Sequence, residues 1–187
     1  MKALFTTGLI LQIIGQISFS LHPEIINLME PLDFIHWSIL IGIVLITPYT
    51  LNFSQGIYYK IGAIISLMGI TCFIGMCGVD FVLWAFKDDV TTRNLIVEKL
   101  IKEPSIWSPF MTVGPSLLFI GLSIQALYYL RDNQLSVILV IVGASMAGIG
   151  ELILTEYRIV FLFGYSVFAI GLLLIAYGKK NELQQRV

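Results

Sequence analysis

Long runs of apolar residues constrain this chain more than any other feature of its sequence. A helix that crosses the hydrocarbon core of a bilayer needs about 20 mostly apolar residues. Six runs reach or approach this length, and they cover 3–21, 35–51, 61–86, 109–130, 135–154 and 159–178. The sequence therefore predicts an all-α integral membrane protein, a bundle of six transmembrane helices. The first run begins after Lys2 and resembles a signal peptide, but we expect it to be retained as a membrane span.

The composition agrees with a membrane protein and excludes several other classes. Apolar residues make up 57% of the 187 residues and charged residues only 12%, whereas soluble domains carry about 25% charged residues. Eleven Lys and Arg nearly balance twelve Asp and Glu, so there is no basic field to attract phosphates. These numbers exclude a soluble enzyme, a disordered chain and a nucleic-acid-binding protein.

The chain reads as a single membrane domain over 1–187 with a polar connector near its middle. We divide it into a first half of three spans (1–86), an outer amphipathic connector (87–108) and a second half of three spans (109–187). Within the connector, 90–103 mixes apolar and charged residues at helical spacing, and Pro104 is expected to stop that helix. It is expected to lie on the membrane interface; the alternative is a lid over a cavity.

Glycines seven residues apart recur in four of the six runs. Seven residues make about two helical turns, so each pair lies on one face of its helix. The pairs are Gly8 and Gly15, Gly62 and Gly69, Gly114 and Gly121, and Gly164 and Gly171. The pattern predicts two related halves, and because each has three spans the second would be inverted relative to the first. Close packing of membrane helices, which also favours small residues, explains the same pattern without a repeat.

The orientation of the chain follows from its Lys and Arg residues. Lys2, Lys60 and Arg131 lie on one side together with the basic residues of the C-terminal tail, and the connector 87–108 lies on the other. The two sides are nearly balanced in Lys and Arg, so the positive-inside rule discriminates weakly here. We expect a multipass protein of the cell (inner) membrane with both termini in the cytoplasm.

Polar residues gather at the outer end of the predicted bundle. Asp80 and Glu151 are the acids that fall within or at the edge of the apolar runs, and ionisable residues there are functional candidates. His22 and His36, the two histidines of the chain, lie at the same level. The three tryptophans of the chain also fall there, and they are Trp37, Trp84 and Trp107. The simplest explanation is an interfacial belt of Trp with solvated acids.

An outward-facing polar cavity is the functional alternative. Asp80, Glu151 and His36 would line it, and Trp84 and Trp107 would form its rim. The cavity would bind a small solute, an ion or a lipid-like molecule, with transport across the membrane as an extension of binding.

Two glutamines inside the first run bear on the question of transport. Gln12 and Gln16 are four residues apart and share a helix face. They would either continue a polar path from the cavity toward the cytoplasm or hydrogen-bond to a neighbouring helix. Hydrogen bonds between membrane helices are common.

A metal-dependent enzyme is a second alternative. His and carboxylate side chains are the usual ligands of catalytic zinc, and three of them with a water suffice. A divalent metal would be held by a set drawn from His22, Asp33, His36 and Asp80. No defining metal-binding or catalytic spacing is present, so the sequence leaves open whether the protein is a hydrolase, a transferase or no enzyme at all.

A role as a non-catalytic partner subunit is the third possibility. The fifth run carries a smooth surface of small residues that suits close contact with another helix. The residues are Gly143, Ala144, Ser145, Ala147, Gly148 and Gly150. Besides the lipid bilayer, the expected partners are therefore a second copy of the chain or another membrane protein.

Overall fold

The computed structural model describes residues 1–20, 33–51, 56–154 and 157–178, apart from the side chain of Leu152. The regular structure of these residues is entirely helical. Its elements are α1 (Lys2–Ser20), α2 (Phe34–Thr50), α3 (Ile57–Ala85), α4 (Val90–Ile101), α5 (Pro104–Trp107), a π-helical segment (Ser108–Val113), α6 (Gly114–Leu127), α7 (Gln134–Leu152) and α8 (Arg158–Tyr177).

Five of the described helices are long and apolar enough to cross a membrane. They are α1, α3, the continuous helix Pro104–Leu127, α7 and α8. The remaining apolar helix, α2, has 17 residues and is shorter than each of these five helices. The five long helices indicate a membrane-embedded, multipass protein.

The connector between α3 and α6 folds as the amphipathic pattern predicts, with one difference at its end. Asp89 caps α4, where its carboxylate accepts a hydrogen bond from the backbone N–H of Thr92 at 3.0 Å. Pro104 does more than stop α4, because it occupies the first turn of α5. Proline suits that position, since its missing N–H would have no partner in a helix. The helix that follows therefore begins five residues before the predicted start of the run.

The apolar helices pack as three close pairs in chain order. The pairs are α1 with α2, α3 with α6, and α7 with α8, and looser contacts between α2 and α3, α6 and α7, and α8 and α1 close the ring. At the first crossing a Cβ atom on Gly8 would lie 2.7 Å from the backbone oxygen of Gly42. Only glycine permits backbones to approach this closely.

The paired glycines of the sequence lie at these crossings. Gly62 faces the backbone of Gly121, and Gly164 faces the backbone of Ala147. The glycine spacing therefore serves close helix packing, the simpler of the two explanations. The close contacts do not themselves recur between the halves, since α6 packs most closely on α3 rather than on α7.

An apolar core fills the end of the bundle where α1 begins. Phe5 is fully buried and stacks on Tyr49, with ring centroids 4.2 Å apart. Two buried glutamines lie in this packing without disturbing it, because each amide donates to a backbone oxygen of a neighbouring element. Gln12 Nε2 donates to Ile39 O at 2.6 Å, and Gln125 Nε2 donates to Thr50 O at 3.2 Å.

Candidate functional site

A cavity of about 760 Å³ occupies the opposite end of the bundle, where α1, α3 and α7 end and α2 and α8 begin. This volume lies within the range of small-molecule sites. Its lining combines many apolar side chains with a smaller set of polar ones. The polar lining residues are Gln16, His36, Asp80, Thr112, Ser116, Ser123, Ser145, Glu151, Arg158 and Tyr165.

His36 is held between two carboxylates at the edge of this cavity. Asp33 caps the N-terminus of α2, and its Oδ1 accepts from the backbone N–H of His36 at 3.1 Å. Asp33 Oδ2 lies 2.5 Å from His36 Nδ1, and Asp80 Oδ2 of α3 lies 3.3 Å from His36 Nε2. With a proton on each ring nitrogen, the imidazolium donates a hydrogen bond to Asp33 and forms an ion pair with Asp80. The capping sequence of α2 thus fixes the ring, and the ring joins α2 to α3.

Aromatic side chains surround this group and position a second charge. The guanidinium carbon of Arg158 lies 4.3 Å from the centroid of the Phe19 ring, which is within the range of cation–π contact. The same Phe19 ring meets His36 edge-on with centroids 6.1 Å apart, and Phe81 meets His36 from α3 at 6.2 Å. α8 therefore brings a positive charge to the cavity beside the carboxylate-bound histidine.

No family model, curated protein or solved structure matches this chain. Its function is therefore inferred from the residues, distances and charges of the cavity.

Four of the predicted cavity residues line the same cavity. They are Asp80, Glu151, His36 and Gln16, contributed by α3, α7, α2 and α1. The sequence places Asp80, Glu151 and His36 near one level and Gln16 inside the first span, and the ring of helices brings all four around one space.

The other three predicted cavity residues lie outside the lining. Gln12 is 1% exposed, because its amide is turned to Ile39 O across the α1–α2 contact. Trp84 lies near the end of α3 with the Lys87 ammonium 5.2 Å from its ring centroid. Trp107 is partly buried at the junction of α5 and the π-helical segment. Gln12 therefore contributes to the packing of α1 on α2, whereas the two tryptophans lie at the end of the bundle next to the connector.

The proposed metal ligands are only partly within the described residues. His22 lies outside them, so the complete set of His22, Asp33, His36 and Asp80 stays a prediction. Among the residues that the structure describes, no three His, Cys, Asp or Glu side chains form a group that could hold a metal ion. Both ring nitrogens of His36 already face carboxylates.

The small residues of the fifth run are used inside the chain. Gly143 and Gly150 lie against the α8 backbone at Phe168 and Phe161, and Ala147 is fully buried. Ala144, Ser145 and Gly148 line the cavity. These residues therefore serve helix packing and form part of the cavity lining.

Sequence reasoning missed the contributions of α6 and α8. Arg158 reads in the sequence as an interfacial charge before the last run, and only the fold turns it toward Phe19 and the cavity. Ser116 and Ser123 are seven residues apart on α6, and this two-turn spacing was the available signal for a polar stripe. Single serines are common in membrane helices, so the stripe gains meaning only beside the other cavity residues.

Proposed function

We propose that this chain is a six-span integral membrane protein that binds a small molecule in the cavity at one end of its bundle. The carrying observation is a cavity of about 760 Å³ into which α2, α3, α7 and α8 each bring a charged or ionisable side chain. Placing an ionisable side chain within a membrane costs free energy, so such a residue commonly has a functional role. The lining also matches the usual form of a ligand site, a mostly apolar surface with a few polar groups.

The finer features of the proposal concern the arrangement in the membrane. We take α2 as the sixth span, with tilt or local thinning accommodating its short length. Both termini lie on the cytoplasmic side of the cell membrane, so the cavity opens toward the outside of the cell. A relation between two inverted three-span halves remains a prediction from the sequence, and the close helix pairs differ between the halves.

Binding is better supported than transport. A transport path needs polar groups that continue to the other end of the bundle, and Gln12 was the residue expected to extend it. That side chain is instead buried and bonded to Ile39 O, and around Phe5 and Tyr49 the bundle is packed with apolar side chains. Transport would therefore require a second conformation that opens this core.

The alternatives have weaker support from the described residues. A metal-dependent hydrolase or transferase needs a third ligand beside His36 and Asp80 that is free to bind the metal, and Asp33 is engaged with His36 Nδ1. A partner subunit needs an outward-facing strip of small residues on α7, and those residues face α8 or the cavity. Binding of a small molecule, in contrast, is compatible with the cavity side chains in the positions that the fold gives them.

A cysteine placed in the cavity tests the proposal directly. Gly148 lines the cavity, and a Cβ atom added there meets nothing within 4 Å. The variant Gly148→Cys is made in a background in which the two native thiols are removed by Cys72→Ala and Cys77→Ala. Reconstituted in vesicles, it should react with a membrane-impermeant methanethiosulfonate added to the side that the cavity faces.

Gly78 supplies a matched control on α3. A Cβ atom there also meets nothing within 4 Å, but Gly78 is exposed and lies outside the cavity lining. Gly78→Cys should react slowly, because a thiol that faces lipid stays protonated and is inaccessible to a charged reagent. Equal, slow reaction of both variants from both sides would show that the cavity is not accessible to water and would overturn the proposal.

A further inference from the structure

The cavity continues past its polar end as a groove between α6 and α7. Its lining reaches Leu127 on α6, about 20 Å beyond Gly114 at 1.5 Å per residue. On α8 the lining stops at Tyr165, only about 10 Å beyond Arg158. The deep part is therefore bounded mainly by α6 and α7, without the other helices that surround the polar end.

This groove faces sideways, toward the hydrocarbon of the bilayer. α6 and α7 touch each other much less than α6 touches α3 or α7 touches α8. Ile120 on α6 and Ile141 on α7 both line the cavity, and they are 49% and 40% exposed. A molecule with an apolar chain can therefore enter from the membrane without crossing a layer of packed side chains.

The two ends of the cavity differ in chemistry. The groove is lined mainly by apolar side chains, among them Ile124 and Leu127, together with the hydroxyls of Ser123 and Ser145, whereas the outer end presents Asp80, Glu151 and Arg158. A small polar solute would leave the groove unfilled, and a plain hydrocarbon would leave the charged groups unpaired, which is costly. An amphiphile satisfies both ends at once.

The charges at the outer end select a positive head group. Among the described residues, Asp33, Asp80 and Glu151 supply three carboxylates at this end, Arg158 and, when protonated, His36 supply positive charges in the cavity lining, and Arg93 of α4 acts on Asp80 from outside that lining. Asp80 retains an oxygen besides the one that faces His36, and Glu151 lines the cavity without a carboxylate–cation contact to any described Lys, Arg or His. An ammonium group beside Glu151 would supply the cation that this carboxylate lacks among the described residues, and it could donate to the second oxygen of Asp80.

We infer that the ligand is a single-chain amphiphile whose head group carries an amine, with its chain in the α6–α7 groove and its ammonium beside Asp80 and Glu151. This inference rests on the proposed binding function and names the ligand class for that site. Both a lysophospholipid with an amino head group and a free long-chain amine have this chemistry. Arg158 distinguishes them, because it can pair with a phosphate only in the former.

Protection of the cavity thiol from labelling tests the inference. The Gly148→Cys variant in the Cys72→Ala, Cys77→Ala background is placed in phosphatidylglycerol vesicles, which contain no amine. Lysophosphatidylethanolamine, dodecylamine, dodecyl phosphate or butylamine is then added before the methanethiosulfonate. We expect the first two to slow labelling about tenfold, the change that about 1.4 kcal/mol of binding produces. Dodecyl phosphate, which lacks the amine, and butylamine, which lacks the chain, should leave the rate unchanged.

Substitutions separate recognition of the head group from a general effect of the amphiphile on the vesicle. Asp80→Asn together with Glu151→Gln should remove the protection by dodecylamine. Glu98→Gln, an exposed acid on α4 outside the cavity, should keep it. Arg158→Gln should weaken protection by lysophosphatidylethanolamine and leave that by dodecylamine intact.

The outcomes distinguish this inference from the proposed function. Labelling at Gly148→Cys with no protection by any amphiphile would retain the cavity and overturn the amphiphile. Equal protection by dodecyl phosphate would overturn the selection of an amine, and protection by butylamine would identify a simple cation site. Absence of labelling at Gly148→Cys, with the folded state verified by thermal unfolding, would overturn the proposed cavity itself.

Discussion

His36 Nε2 lies 3.3 Å from Asp80 Oδ2, and this contact joins the start of α2 to the last turns of α3 at the edge of the cavity. The other ring nitrogen is bound by Asp33, which caps the same helix. The side chains of Asp33, His36 and Asp80 are 4%, 16% and 19% exposed. Water therefore screens the electrostatic interactions among them only weakly. One side chain thus connects helix capping, packing of two helices and the chemistry of the cavity.

Removal of the imidazole should destabilise the protein. His36→Leu leaves the carboxylates of Asp33 and Asp80 without their shared partner, and we expect a loss of about 1–3 kcal/mol in the free energy of unfolding. Unfolding in detergent micelles measures it. Glu98→Ala breaks an exposed pair with Lys102 and should change stability by at most about 1 kcal/mol. An unchanged free energy of unfolding in His36→Leu would show that the contacts of His36 with Asp33 and Asp80 do not stabilise the protein.

His36 and Asp80 should be energetically coupled. In a double-mutant cycle of His36→Leu and Asp80→Asn, the combined loss should be smaller than the sum of the single losses by about 0.5–3 kcal/mol. The physical reason is that either substitution already removes the α2–α3 contact. Additive losses would show that the two side chains act independently despite their 3.3 Å separation.

A methyl group at the α1–α2 crossing should force the helices apart. In Gly42→Ala the new Cβ would lie 2.8 Å from the backbone oxygen of Gly8, and a backbone atom cannot turn away. We expect a lowered melting temperature and a loss of about 1–3 kcal/mol. Gly78→Ala is the control, because its Cβ meets open space, and it should be neutral or stabilising by about 0.5–1 kcal/mol.

The two glutamines of α1 should differ in what they support. Gln12→Leu removes the hydrogen bond to Ile39 O and should cost about 1 kcal/mol of stability while labelling at Gly148→Cys stays unchanged. Gln16→Leu changes the cavity lining and should alter that labelling rate. If Gln12→Leu altered labelling as strongly as Gln16→Leu did, a polar path through both glutamines would regain support.

Acid should loosen the start of α4. Hydrogen bonds from Thr92 lower the pKa of Asp89 below its ordinary value. The stabilisation is therefore fully present above the unfolded-state pKa of about 3.9 and is lost as the pH falls through the lower folded-state value. Lower amide protection factors in α4 at low pH, corrected for the pH dependence of the intrinsic exchange rate, would report this loss. Asp89→Ala should raise the exchange rate at neutral pH as well, whereas Asp88→Ala, at the exposed neighbouring residue, should not.

The sequence by itself determined the helical class of this protein and the positions of its apolar helices. Runs of apolar residues near membrane-spanning length leave the backbone no partner except itself, so a helix is the solution wherever such a run occurs. The glycine pairs also marked the faces on which helices cross, because only a missing side chain allows that approach. Asp33 and His36 are three residues apart, a spacing that puts them on one face at the start of α2, and hydrogen bonds join them there.

Only the tertiary structure decided which polar residues meet. Gln12 and Gln16 share one face of α1 in the sequence, yet the close α1–α2 crossing turns the first into the packing and leaves the second in the cavity. Arg158 enters the cavity because α8 closes the ring against α1, a contact between segments far apart in the chain. The periodicity of a helix fixes which residues share a face. The neighbour that each face meets is decided by which helices pack together, and that choice depends on the whole chain.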